Sequence, residues 1–175
     1  AKRHPGSNFK PFFYAGAMES GLTAATIYND APVVLPGGEL EETYRPRNSG
    51  NSFRGNIRVR EALFRSINLV SLRIILDYGP EKIVDYVSRF GFDTTDFPKN
   101  VQLAFGGGTI SLTPEEVVTG YRILANGGAS VQTHLISSIQ SLKNEQIFAA
   151  VPKAVCSRPC EYPNPAEQVV EPRVA

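Results

Sequence analysis

Charge of one sign is what this chain has least of: 18 basic residues stand against 17 acidic, a formal net charge of +1, and the cationic residues are dispersed rather than clustered. Nucleic-acid binding needs a concentrated basic face, so that class of partner gains no support. Long apolar runs are missing too, and the first residues are not signal-like, so membrane attachment is not readable from these residues themselves. Histidine is reduced to His4 and His134, with no carboxylate or cysteine at ligand spacing. A zinc site is therefore disfavoured, and nothing calls for a metal or a cofactor. The two cysteines sit in Cys156-Ser157-Arg158-Pro159-Cys160, and metal binding would need more ligands. Gly106-Gly107-Gly108-Thr109 lacks the G-K-[ST] ending of a phosphate loop, and a glycine-rich bend explains it. Apolar residues are not scarce: 42% over 175 residues suits one folded domain rather than a disordered tail.

What is present begins with Ser7-Asn8-Phe9-Lys10, behind Pro5-Gly6 and ahead of Pro11. A serine hydroxyl is a poor nucleophile until a neighbour accepts its proton, and a lysine can do so once neutral. Burial lowers a lysine pKa, and Phe9, Phe12 and Phe13 supply apolar surroundings. An i, i+3 offset puts both side chains on one helix face. The Pro5-Gly6 turn would set Ser7 at a helix amino end, where free N–H groups favour an oxyanion. On spacing alone, S-x-x-K also fits a helix start with a solvated lysine.

Ser66 and Asn68 form an S-x-N inside Arg60-Glu61-Ala62-Leu63-Phe64-Arg65-Ser66-Ile67-Asn68. In an extended or turning backbone alternate side chains project the same way, so a hydroxyl and a carboxamide would face one cleft. The hydroxyl can pass a proton and the amide can hold a substrate carbonyl or N–H. Helix capping by the same two residues is the other reading.

Arg3 to Pro11 (R-x-P-G-S-x-F-K-P) and Arg60 to Asn68 (R-E-A-L-x-x-S-x-N) together resemble the transpeptidase domain of class A penicillin-binding proteins. The likeness continues in order through Asn29-Asp30-Ala31-Pro32, Tyr44-Arg45-Pro46-Arg47-Asn48, Arg89-Phe90-Gly91-Phe92, Gly106 to Pro114 and Leu124-Ala125-Asn126-Gly127-Gly128. It implies the helix-rich part of the α+β fold shared by these proteins and serine β-lactamases. Residues 1–155 would be a partial transpeptidase domain and 156–175 a linker or variable segment. It further implies Ser7 as nucleophile, Lys10 as general base, Ser66 as proton relay and Asn68 as the group that positions substrate. The substrates would be peptidoglycan stem peptides ending in D-Ala-D-Ala, with β-lactams as covalent inhibitors. The parent would be anchored in the bacterial inner membrane with its catalytic domain in the periplasm, and would carry a glycosyltransferase as well. In that oxidising compartment nearby cysteines pair, which favours a local Cys156–Cys160 disulfide. A serine β-lactamase and a non-enzymatic β-lactam sensor are the alternatives. The family's third motif, K-[ST]-G, occurs nowhere in the chain. The chain therefore reads as a piece of a larger protein, with flanking sheet strands missing.

The pattern predicts a first helix from about Ser7 to Ser20, with Phe9, Phe13 and Ala17 in its buried stripe. From Tyr28 to Asn56 it predicts a long irregular loop, with turns at Pro36-Gly37-Gly38 and Ser49-Gly50-Asn51-Ser52. Helices follow over Arg58–Phe64 and Asn68–Asp77, broken at Ser66, the second burying Leu69, Leu72, Ile75 and Leu76. Pro80 opens another that stops at Gly91. Thr113-Pro114-Glu115-Glu116 is a capping box for a helix reaching Ala125. Alternation in Ser130–Ile139 and Gln146–Val151 suggests a hairpin, and Glu161–Pro172 an exposed linker.

Overall fold

The computed structural model describes residues 1–36, 43–156 and 161–175. It has two compact units, Ala1–Thr119 and Gly120–Ala175. The first helix is not α-helical from Ser7. Gly6–Phe9 forms a 3-10 turn, and α1 spans Lys10–Glu19. Pro11 is the reason: it has no N–H to offer the Ser7 carbonyl, so Lys10 N–H takes that carbonyl one residue earlier, tightening the turn. Phe9, Phe12, Phe13 and Ala17 are fully buried. Phe12 lies 5.0 Å from both Phe90 and Phe92, and Phe9 lies 5.7 Å from Phe97, centroid to centroid. Each such pair adds about 0.5–1.5 kcal/mol beyond area burial, so this cluster fixes the start of α1 and the turn before it.

Three further helices of the first unit follow the expected punctuation: α2 (Val59–Phe64), α3 (Asn68–Tyr78) and α4 (Pro80–Val87). Beyond α4 the chain tightens into a 3-10 turn, Ser88–Phe90, and Gly91 closes it at φ 84°. In α3 the buried apolar residues are Leu69, Val70, Leu72, Ile74 and Ile75, with Ser71 buried among them. Leu76, expected inside, is 45% exposed. It continues the line of Leu69 and Leu72, but nearer the helix end, where that face has emerged into solvent.

The segment expected to be irregular from Tyr28 to Asn56 is closed off by a ladder. Strands β1 (Ile27–Asp30) and β4 (Gly55–Arg58) pair antiparallel, Ile27 opposite Arg58 and Asp30 opposite Gly55. Between them β2 (Leu35–Pro36) pairs with β3 (Thr43–Tyr44). The turn expected at Pro36-Gly37-Gly38 runs into 37–42, outside the described residues. Helix α5 (Pro114–Ala125) contains the boundary between the units. Its capping box is reciprocal: Glu116 N–H donates to Thr113 Oγ1 (3.1 Å) and Thr113 N–H to Glu116 Oε2 (2.6 Å). That backbone donor holds the Glu116 carboxyl below its ordinary value.

In the second unit β6 (Ser138–Gln140) and β7 (Gln146–Ala149) form the hairpin, shorter than expected. Strand β5 (Ala129–Ser130) lies outside it and pairs instead with β8 (Glu167–Gln168). The stretch 161–172 is thus no free linker. Val169 and Val170 both donate to the Gly128 carbonyl, and Val170 is 1% exposed. Cys156 is disulfide-bonded, while the geometry of the expected Cys156–Cys160 bridge involves Cys160, outside the described residues. Helices and small antiparallel ladders together make an α+β chain.

Candidate active site

The centre of the site is a lysine folded inward. Lys10 is 1% exposed, and its Nζ donates to Ser66 O (2.8 Å), Ser66 Oγ (2.9 Å) and Asn68 Oδ1 (2.8 Å). Those acceptors use all three ammonium donors. None of them is a carboxylate, so no opposite charge offsets the loss of water, and burial lowers the Lys10 pKa from 10.5 to about 8. At pH 7 about one lysine in ten is then neutral. A base poised close to the working pH is what proton transfer favours.

Ser66 reaches Lys10 twice because of its backbone. It stands at φ 55°, in the left-handed region, where a residue other than glycine is strained. That conformation presents its carbonyl and its hydroxyl to the same ammonium. Two buried groups hold the turn behind it. Ser71 Oγ donates to the Ile67 carbonyl (2.9 Å) and contacts Tyr14 Oη (3.1 Å), linking α3 to α1. Asn48 Oδ1 accepts from the Asn68 and Leu69 N–H groups (both 3.1 Å), capping α3 in place of Ile67, whose side chain cannot. Asn48 Nδ2 in turn donates to Asp30 Oδ1 (2.7 Å) and Ser52 O (3.0 Å), and Asp30 Oδ2 accepts from Arg54 N–H (3.0 Å). Asn68 Nδ2 donates to the Arg47 carbonyl (3.1 Å). The second amide proton of Asn68 has no acceptor among the described residues.

Ser7 is placed differently. It is exposed on the 3-10 turn one step before Lys10, and its hydroxyl forms no hydrogen bond among the described residues. The turn is anchored from behind by a distant segment. Arg3 and Leu112 exchange backbone bonds (2.8 and 2.9 Å), His4 Nδ1 donates to the Ile110 carbonyl (2.8 Å), and Gly6 N–H donates to Gly106 O (3.1 Å). Gly106 has to be glycine: at φ 59°, a Cβ there would lie 2.0 Å from the Gly6 carbonyl oxygen. The glycine-rich bend thus works as a backstop for the Ser7 turn. Ser66, Asn68 and Lys10 converge through hydrogen bonds, and Ser7 is not among the residues so joined.

Residues 1–169 match the family described as penicillin binding protein transpeptidase domain. The chain belongs to that family. Among transpeptidase-domain relatives, penicillin-binding protein 1A of Pseudomonas aeruginosa is 41% identical over 155 residues, 89% of this chain and 19% of that protein. The crystal structure of penicillin-binding protein 1A from Haemophilus influenzae superposes with a TM-score of 0.86 at 27% identity, over 99% of this chain and 28% of that one. Penicillin-binding protein A of M. tuberculosis, in its imipenem acyl-enzyme complex, shares the fold at a TM-score of 0.79 and 20% identity, over 99% of this chain and 41% of that one. The chain spans about a fifth of the length of the curated relative from P. aeruginosa.

Asn48, Asp30, Ser71 and Gly106 were not singled out as site-building residues by sequence reasoning, although three of them lie in the strings that carry the family likeness. A polar residue of one segment capping a helix of another has no local signature. The first glycine of the Gly106-Gly107-Gly108 bend did carry a signal, since close backbone approach is a standing reason for glycine.

Proposed function

We propose that this chain supplies the nucleophile side of a serine D,D-transpeptidase acting on peptidoglycan stem peptides. The observation that carries the proposal is Lys10, buried and depressed to about 8, held on Ser66 and Asn68 directly after the Ser7 turn. Ser7 attacks the penultimate D-Ala carbonyl, and neutral Lys10 takes the hydroxyl proton, giving up one of its present bonds to do so. Ser66, already hydrogen-bonded to Lys10, passes a proton to the departing amine of the terminal D-Ala. The free Asn68 amide proton holds the peptide. A second stem's amine then attacks the Ser7 ester, forming the C–N bond and releasing the serine oxygen. β-Lactams would enter as mimics of the scissile amide and stay as slow-clearing acyl-serines. The identity to proteins named penicillin-binding protein 1A supports this reading and a membrane-anchored parent working in the periplasm.

The test is covalent labelling of the full-length protein that contains this chain. A fluorescent penicillin should modify Ser7, Ser7→Ala should abolish labelling, and Lys10→Ala should slow it by at least ~10²-fold, the usual loss for a positioned base. An adduct mapping to Ser66 would overturn the roles. Fast penicillin hydrolysis would mark a β-lactamase, and a stable adduct without peptide transfer a sensor.

A further inference from the structure

Beside the Lys10 cluster, on the flank formed by the α2–α3 turn and the segment before β4, lies a cavity of about 440 Å³ whose lining includes Ser66, Arg65, Phe64, Arg54 and Asn48. Of its two cationic residues, Arg65 is held through its side chain and Arg54 through its backbone. Arg65 Nε is held by Glu61 Oε1 at 2.8 Å, and its guanidinium carbon sits 5.1 Å over the Phe64 ring. A single bond through Nε leaves both terminal nitrogens of Arg65 without a partner among the described residues. Arg54 is pinned at its backbone by Asp30, in the network that caps α3, and its side chain has no carboxylate partner among the described residues. With Glu61 matched to Arg65, the cavity keeps an excess positive charge next to the residue proposed as proton relay. Guanidinium forks are suited to carboxylates, which they grip bidentately.

We propose that this cavity is the acceptor subsite, taking an amine whose own or neighbouring carbon bears a carboxylate, with Arg54 and Arg65 holding the carboxylate and Ser66 beside the amine. The inference rests on the transpeptidase reading. In that reading the leaving amine takes its proton from Ser66, and by microscopic reversibility the incoming amine returns one along the same path. The acceptor amine must therefore arrive on the Ser66 side, where the cavity is. As it attacks, its nitrogen bonds to the acyl carbon, the ester C–O bond to Ser7 breaks, and the amine proton travels by Ser66 and Lys10 to the Ser7 oxygen.

The experiment uses the full-length protein, a thioester donor, and two acceptors that differ only in charge, D-alanine and D-alaninamide. The unsubstituted protein should use D-alanine well and D-alaninamide poorly. Arg54→Gln should raise the KM for D-alanine about tenfold, as for loss of one charged hydrogen-bonded grip, and leave the D-alaninamide value within twofold. Arg65→Gln, tested independently, should do the same. Equal use of both acceptors by the unsubstituted protein, or variants that affect both acceptors alike, would overturn the proposal. The thioester's leaving group carries no carboxylate, so a fall in its acylation rate would place the arginines on another part of the donor and overturn the proposal as well. Absence of any Ser7 acylation in the unsubstituted protein would instead remove the transpeptidase reading underneath.

Discussion

Asn48→Ala should damage the site without touching any residue assigned to chemistry. The side chain satisfies two N–H groups at the start of α3 and gives protons to Asp30 and Ser52. Loss of an ordinary helix cap costs about 1 kcal/mol. Here the cost is larger, because Asp30 is fully buried and would keep only the Arg54 N–H. An under-satisfied buried charged group adds about 1–3 kcal/mol, for a total of roughly 3 kcal/mol. Amide hydrogen exchange at Asn68 and Leu69 reads that opening directly, and on the order of a hundredfold faster exchange is expected. Asn48→Asp should not rescue it: the acceptor for α3 returns, but carboxylate then faces carboxylate. Protection in α3 unchanged within a fewfold in Asn48→Ala would refute the cap and the network behind it.

Acylation by penicillin should rise with pH and level off above an apparent pKa near 8, since the base must be neutral; a flat profile from pH 6 to 9 would exclude Lys10 as that base. The same shift makes a stability prediction. Folded Lys10 titrates near 8 and an unfolded lysine near 10.5, so between these values the unfolded chain binds more protons and stability rises with pH, by at most about 3 kcal/mol. Pulse proteolysis of Lys10→Met should show that rise lost. Gly106→Ala should slow acylation about 10- to 100-fold and also lower stability, by about 1–2 kcal/mol for the left-handed backbone alone, because the added methyl pushes the Gly6 carbonyl and so the Ser7 turn; acylation at the unsubstituted rate would show the turn to be held by something else.

Helix boundaries could be read wherever a residue's own backbone chemistry sets them. Pro80 and Gly91 bracket α4 and its 3-10 extension, and Thr113 with Glu116 opens α5, each by local means. Ser7, Lys10, Ser66 and Asn68 stood out because their spacing carries chemistry. What stayed hidden depends on partners far along the chain. Ile27–Asp30 has too few apolar positions to alternate, and becomes a strand only because Gly55–Arg58 lies opposite. The 161–172 stretch looked open by composition, and Val170 is buried because Gly128 offers it a carbonyl. Leu76 differs from Leu72 only in its distance from the helix end.

The backstop behind Ser7 has a temporal side. His4 and Ile110 are separated by 106 positions, and the Arg3–Leu112 and Gly6–Gly106 bonds close loops of similar length. Contacts so distant in sequence form late in folding, since their loop-closure entropy is met before they return any stability. The 3-10 turn at Gly6–Phe9 can therefore exist long before it points correctly. During synthesis Ser7 precedes the 106–112 segment and is aimed only once that segment has arrived, so a partly made chain has the serine and not yet its direction.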